Sequence, residues 1–219
     1  MMGCGILAIW HDIVPEHEAE VLGWYDKEHH FERLAVPGFR NVRRYHAEPG
    51  TAPRLFIRYE TDDPGVLASP AYLDRLNHPT PWTLRCQPQF LNNSRTVCER
   101  IETHGGAEGG CAVTVRLSRP LGEEERQAIV RIAEAPGVLG WERWTADLQR
   151  STIPTREKQL RGGEDRYVDT VVVLHMRGPE EAAGCLDRLT PIVVDASQGS
   201  ALIGAYRLAF AADDFAIVR

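Results

Sequence analysis

VPGFRNVRRYHA (36–47) and APGVLGWERWTA (135–146) align without a gap. Pro37-Gly38 falls on Pro136-Gly137, Arg44 on Arg143, Tyr45 on Trp144 and Ala47 on Ala146. A second match follows in the same order: LDRL at 73–76 and again at 186–189, each after a proline (Pro64, Pro179) placed to open a helix. Two ordered matches mark an internal duplication, so the chain is read as one unit written twice.

The local patterns agree with that reading. GILAIWH (5–11) is rich in β-formers, and 15–34 is helical, with Glu16, Glu18 and Glu20 complementing the helix dipole at its start. A strand beginning at Gly38, a strand at 53–59, a helix at 64–77 weakened by Pro70, and a strand at 89–101 complete a β-α-β-β-α-β order. The second half repeats it with strands at 111–117, 138–146, 167–176 and 200–210, and helices at 122–135 and 179–189. This order is the ferredoxin-like unit, whose sheet buries one face under two helices and leaves the other needing a partner. The fold class expected is therefore α+β: two tandem ferredoxin-like units forming an intramolecular pseudo-dimeric α+β barrel. Repeat 1 spans 1–102, a Gly-rich linker 103–110, and repeat 2 spans 111–219. The space between the sheets is the expected ligand pocket. A polar insert at 149–166 has no counterpart in the first half, and a disordered excursion is placed ahead of a lid.

Charge and composition exclude several classes. The 219 residues carry a formal charge of −6, against the basic excess of a nucleic-acid-binding surface. No apolar run approaches the roughly 18 residues of a membrane span, and the first residues lack a basic leader region, so no membrane partner is expected. Five cysteines without a Cys-x-x-Cys fit buried thiols and a cytoplasmic location. No His-x-x-x-His, zinc-spaced Cys/His cluster, dinucleotide fingerprint or nucleophile elbow occurs, so neither a metal nor a cofactor is expected.

The segment WYDKEHHFERLAVPGFRNVRRY (24–45) resembles the signature of the dimeric α+β barrel superfamily, and is most similar to EthD-like and related bacterial proteins. The residues that carry the likeness are Trp24, Tyr25, Asp26, Glu28, His29, Pro37, Gly38, Phe39, Arg44 and Tyr45. SPAYLDRLNHPTPWT (69–83) is similar to the second helix of that family and its Pro-rich exit. The second half keeps the architecture but has RQAIVRIAEA where the first has the Glu-His helix. The resemblance implies one site per chain. It spans several chemistries: cofactor-free monooxygenases, lactone isomerases, cyclases, lyases and haem enzymes.

A helical wheel at about 100° per residue puts Val21, Trp24, Tyr25, Phe31 and Ala35 on one face, with Glu28 near its middle. His29 falls on the flank, and His30 on the far side as solvated surface. A carboxylate on an apolar face requires a partner, Arg44 or Arg58, or a raised pKa. His29, Glu28 and Arg44 are the candidate catalytic residues: acid-base, orienting and oxyanion-holding. Trp24, Tyr25, His11, His46, Tyr72 and Trp82 are the candidate substrate-binding residues. A structural or surface role remains open for each of them, and His175 is read as buried and hydrogen-bonded. The expected function is a small cofactor-independent enzyme using acid-base chemistry on an apolar or aromatic metabolite, as isomerase, cyclase, lyase or monooxygenase. The alternative is a non-catalytic ligand-binding or scaffold protein. Either would act as a monomer with pseudo-two-fold symmetry or as a homodimer.

Overall fold

A computed structural model of the chain describes residues 2–162, 165–197 and 201–214. Strands β1 (Gly5–Ile13), β2 (Phe39–Ala47), β3 (Leu55–Thr61) and β4 (Phe90–Gly105) form the first half's sheet in the order β4-β1-β3-β2. Strands β5 (Cys111–Leu117), β6 (Val138–Ala146), β7 (Thr170–Met176) and β8 (Ala201–Asp213) form the second in the equivalent order β8-β5-β7-β6. The free edges meet: β2 pairs with β8 (Tyr45 opposite Leu208) and β4 with β6 (Cys98 opposite Ala146), both antiparallel. The eight strands close into a barrel, which leaves no sheet edge exposed.

The helices lie outside. In the first half they are α1 (Glu18–Trp24), a π turn at Tyr25–His29, α2 (His30–Leu34), α3 (Pro70–Asn77) and α4 (Pro81–Cys86). The second half has α5 (Glu123–Ala133), α6 (Leu148–Ser151), α7 (Arg156–Leu160) and α8 (Pro179–Ser197). Pro70 opens α3, where Ser69 caps the Tyr72 amide, and does not weaken a longer helix. The Pro-rich stretch after it forms α4 with Thr80 as cap. β4 runs on to Gly105, into the expected linker, because its outer residues pair with β6 as far as Gly140. Ser200 and residues 215–219, parts of the expected last strand and second repeat, lie outside the described residues.

The middle of the barrel is packed, contrary to the expectation of an enclosed pocket between the sheets. Trp10 stacks on Phe56 at 4.7 Å, and Tyr45 and Tyr206 pack on Phe56 at 5.2 and 5.7 Å. With Trp144 they fill a lumen that eight strands make only wide enough for side chains. Space remains at the two ends, in cavities of about 360 Å³ and 320 Å³. The first end is ionic. Arg100 bridges Glu60 at 2.9 Å and Glu142 at 2.6 Å, and Glu142 also accepts from His175 Nε2 (2.9 Å) and Trp144 Nε1 (2.7 Å). His175 is thus buried and hydrogen-bonded. Burial pushes the Glu142 carboxyl up, but the His175 bond and the Arg58 and Arg100 charges hold it well below the usual carboxylate range.

The duplicated Pro-Gly pair has a backbone cause. Gly38 and Gly137 adopt φ of 92° and 91°, a region that side chains avoid. A Cβ at Gly38 would stand 2.6 Å from Val66 Cγ2, and one at Gly137 would strike Glu181. Gly38→Ala is expected to destabilise by about 1–3 kcal/mol in urea unfolding. Gly137→Ala should cost less, because Glu181 can swing away. Unchanged midpoints for both would remove the turn requirement.

Candidate functional site

The two sheet–helix layers differ in chemistry. Between β5–β8 and α5/α8 the buried residues form an aliphatic cluster with Trp141, Met176, Cys111 and Cys185, and the one buried histidine of the second half among the described residues, His175, bonds Glu142 at the ionic barrel end instead. The equivalent layer of the first half buries His11, His29, His30, Arg33 and Tyr25, together with Tyr59 and Tyr72.

A π turn produces this arrangement. The His30 amide donates to the Tyr25 carbonyl, a step of five residues, which inserts one residue into the helix. Every later position then turns by about 100°, one residue's worth. His29 takes the inward place that the wheel gave to Glu28. His30 comes in from the far side, where it is fully buried, and Phe31 swings out to 37% exposure. The surface reading of His30 is therefore corrected. Glu28 moves to the edge, where Thr80 Oγ1 donates to it at 2.6 Å; it pairs with neither Arg44 nor Arg58. π turns recur at functional sites because they re-aim side chains in this way.

After the turn, His29 and Arg33 are one α-turn apart and share a face. Both line a void of about 20 Å³ with Tyr25, Tyr59, Tyr72 and Arg95, among others. That volume holds a single oxygen-sized group. His29 Nδ1 and Arg33 Nη1 are buried and have no protein partner. Asn93 Oδ1, on the same lining, and His30 Nε2 are likewise buried without a partner, whereas other neighbouring polar atoms are committed. His11 Nδ1 lies 2.9 Å from the Asp12 carbonyl, which can only accept, so Nδ1 carries the hydrogen and Tyr25 Oη donates to Nε2 at 2.9 Å. His30 Nδ1 bonds Tyr59 Oη at 2.7 Å, and Arg95 donates to Tyr72 Oη at 3.0 Å.

The insert seals this layer. Asp147 caps α6, and Ser151 Oγ accepts from the Val97 amide at 2.8 Å. On α7, Glu157 is buried against Arg33 and accepts from Gln87. Arg161 pairs with Asp165 at 2.9 Å and donates to Gln87 at 3.2 Å. The expectation of disorder is overturned because the polar residues of the insert find partners on the first half. Gly163 and Glu164 lie outside the described residues.

Of the residues selected from sequence, His29, Tyr25 and Tyr72 line the void. Trp24 backs His29 at 4.1 Å and donates to Thr83, and His11 sits behind Tyr25. Arg44 stands over the Tyr25 and Phe210 rings and pairs with Asp26 at 2.7 Å, outside the void's lining. His46 is half-buried near the far end of β2, and Trp82 packs on α1 near Gly23. Arg33, Tyr59, Arg95, Gln87, Glu157 and Arg161 were not selected. Arg33 alone carried a signal, standing four residues after His29 on one helix.

No protein-family profile matches the sequence, and no curated protein matches it either. Solved structures do match across the whole chain. An anthrone oxidase-like protein superposes with a TM-score of 0.63 at 12% identity, covering 98% of this chain and 94% of its own. A protein assigned as a monooxygenase from Fusobacterium nucleatum subsp. nucleatum gives 0.53 at 10% identity, covering 97% and 96%. A chlorite dismutase variant from Candidatus Nitrospira defluvii, in complex with cyanide, gives 0.51 at 10% identity, covering 95% and 92%. The fold is a tandem-fused dimeric α+β barrel. At these identities the likeness is one of fold.

The family resemblance admits haem enzymes, but the two sheet–helix layers here do not fit that group. The void beside His29 is far below the roughly 300 Å³ at which ligand pockets begin. The layer of the second half buries no histidine among the described residues. No group of three or more metal-ligating side chains is found, and no helix is long and apolar enough to cross a membrane, among the described residues.

Burial lowers the pKa of the three histidines of this layer: His11 to about 4, His29 well below 6.5 with Arg33 adding to the effect, and His30 likewise with Arg44 and Arg33. In the unfolded chain each titrates near 6.5, so below that pH the unfolded state binds more protons. Their contribution is complete above pH 6.5 and is lost as pH falls toward the folded values. The urea midpoint is expected to fall between pH 6.5 and about 5, before most carboxylates titrate. A flat midpoint over that range would contradict the buried neutral imidazoles.

Proposed function

We propose that the first half's sheet–helix layer is the active site of a cofactor-independent acid-base enzyme acting on an apolar or aromatic metabolite. The supporting observation is that His29 and Arg33, each with a buried nitrogen lacking a protein partner (Nδ1 and Nη1), both line one void. A neutral imidazole and a fixed guanidinium on one helix face suit a single step. His29 takes a proton from an acidic C–H or phenolic O–H, and Arg33 holds the oxygen on which negative charge develops. Isomerisation, cyclisation, lyase chemistry and O₂-dependent oxidation of a phenol-like substrate all begin with that step. For an anthrone-like substrate, suggested by the name of one structural neighbour, His29 removes a proton from the ring CH₂. O₂ then converts CH₂ to C=O with release of one water.

Entry requires α7 to move, because the closed void admits only one oxygen-sized group. Tyr25 and Tyr72 line the void and Trp24 backs His29, while Glu28, Arg44, His46 and Trp82 lie outside its lining. The barrel consumes both edges of each sheet, which favours a monomer with pseudo-two-fold symmetry; a homodimer would have to form on the helix faces. The small void also favours a second reading, a non-catalytic ligand-binding or scaffold protein whose polar layer serves packing.

Turnover of a panel of anthrones, phenols and lactones separates the two. His29→Gln is expected to lower kcat/KM by about 10²–10⁴-fold while melting within a few degrees of wild type. The acid limb of the wild-type profile should lie below pH 6.5, since the free base persists there. Equal turnover by His29→Gln would remove the catalytic role. Neither turnover nor binding of any panel compound would favour the scaffold.

A further inference from the structure

The barrel end opposite the ionic one holds a buried cation that makes no ion pair among the described residues. Arg116 projects from β5 into the lumen, only 3% exposed, beside a cavity of about 320 Å³. Its Cζ lies 4.8 Å over the Trp10 ring, and its one hydrogen bond is a long one, 3.4 Å, to the Ala52 carbonyl. Its Nε has no partner, and it makes no ion pair among the described residues. The other end of the same lumen provides an internal contrast. There Arg100 contacts two glutamates, Arg58 contacts Glu60 and Glu108, and Arg43 contacts Glu108 and Asp213.

An unpaired buried guanidinium is costly, and its fork matches a carboxylate in bidentate geometry. Burial and the like charge of Arg166 both work against it, which an incoming anion would relieve. Asp12 also borders the cavity, but its oxygens are taken by the Arg54 amide (2.7 Å) and Asn92 Nδ2 (2.8 Å). Ser94 Oγ, buried and without a partner, supplies a second donor on the lining. The remaining wall includes Pro53, Val168 and Leu202, the last 51% exposed at the mouth. Arg166 lines the cavity too but is exposed, so the one buried cation behind apolar walls selects a monoanion with an apolar body. A compact dianion such as phosphate would reach Arg166 and Ser118 as well, which also line the cavity, but would leave its apolar wall bare.

We infer that this end of the barrel binds an apolar carboxylate, its carboxyl group on Arg116 and Ser94 and its hydrocarbon against Pro53, Val168 and Leu202. The site is separate from the His29 layer, since Arg116 faces the lumen and His29 the helices.

Calorimetric titration of the full chain with 1-naphthoate tests the assignment. One molecule should bind, at least tenfold more weakly to Arg116→Met, and neither 1-naphthamide nor inorganic phosphate should compete. His29→Gln should bind it as wild type does, which distinguishes failure here from failure of the proposed active site. If Arg116→Met does not fold, Arg116→Lys (weaker, charge retained) and Leu202→Trp (mouth blocked) carry the test. The inference is overturned if 1-naphthoate does not bind, if 1-naphthamide binds equally well, if the Arg116 variants bind undiminished, or if binding is lost in His29→Gln.

Discussion

The contact between Arg33 and Glu157 joins the two halves at the place where the chain is most polar. Both side chains are almost fully buried, at 2% and 5% exposure. Removing two charges from water costs several kcal/mol per ion unless their mutual geometry and further hydrogen bonds recover it. Gln87 supplies one such bond, to Glu157 Oε2. Burial pushes the Arg33 guanidinium down, and Glu157 more than reverses that. A pair this demanding fixes α7 over the first half, and α7 in turn closes the void beside His29. It leaves Arg33 Nη1 as a donor with nothing to bond inside the protein.

Duplication and divergence explain why only one layer is of this kind. Barrel closure treats the halves alike: each contributes four strands in the same order, and each edge pairs with an edge of the other. The outer faces are under no such symmetry. In the second half α8 and α5 lay an aliphatic surface on the sheet. In the first, a π turn, three histidines and three tyrosines replace it, and a loop inserted in the second half reaches across to cover them. The lumen diverged too, with paired charges at one end and Arg116, without an ion pair among the described residues, at the other.

The architecture was legible because it repeats. Pro37-Gly38 and Pro136-Gly137 mark turns that need positive φ, and the strand and helix order follows from ordinary periodicity. His29 was legible through the family resemblance and not through the wheel, which assumed an unbroken α-helix. One inserted residue defeats any constant-angle count, so His30 and Phe31 came out reversed and Glu28 was placed too deep. The insert misled for a different reason. Its polar composition is that of a mobile loop, and only the tertiary partners Arg33, Gln87 and Val97, distant in sequence, give those polar groups a buried place. Arg116 gave no sign at all, since an arginine in an alternating strand looks the same whether it faces water or a lumen.

The proposed function requires α7 to open over the His29 layer, against the Arg33–Glu157 pair, while the barrel stays folded. Hydrogen–deuterium exchange resolved along the chain measures this directly. Amides of 156–160 should exchange through local opening, well ahead of those in β1 and β4, and Glu157→Gln should speed that exchange and carry it to 25–33. If 156–160 exchange only at the rate of the barrel strands, in wild type and variant alike, α7 is a fixed part of the core and the account of the site is wrong.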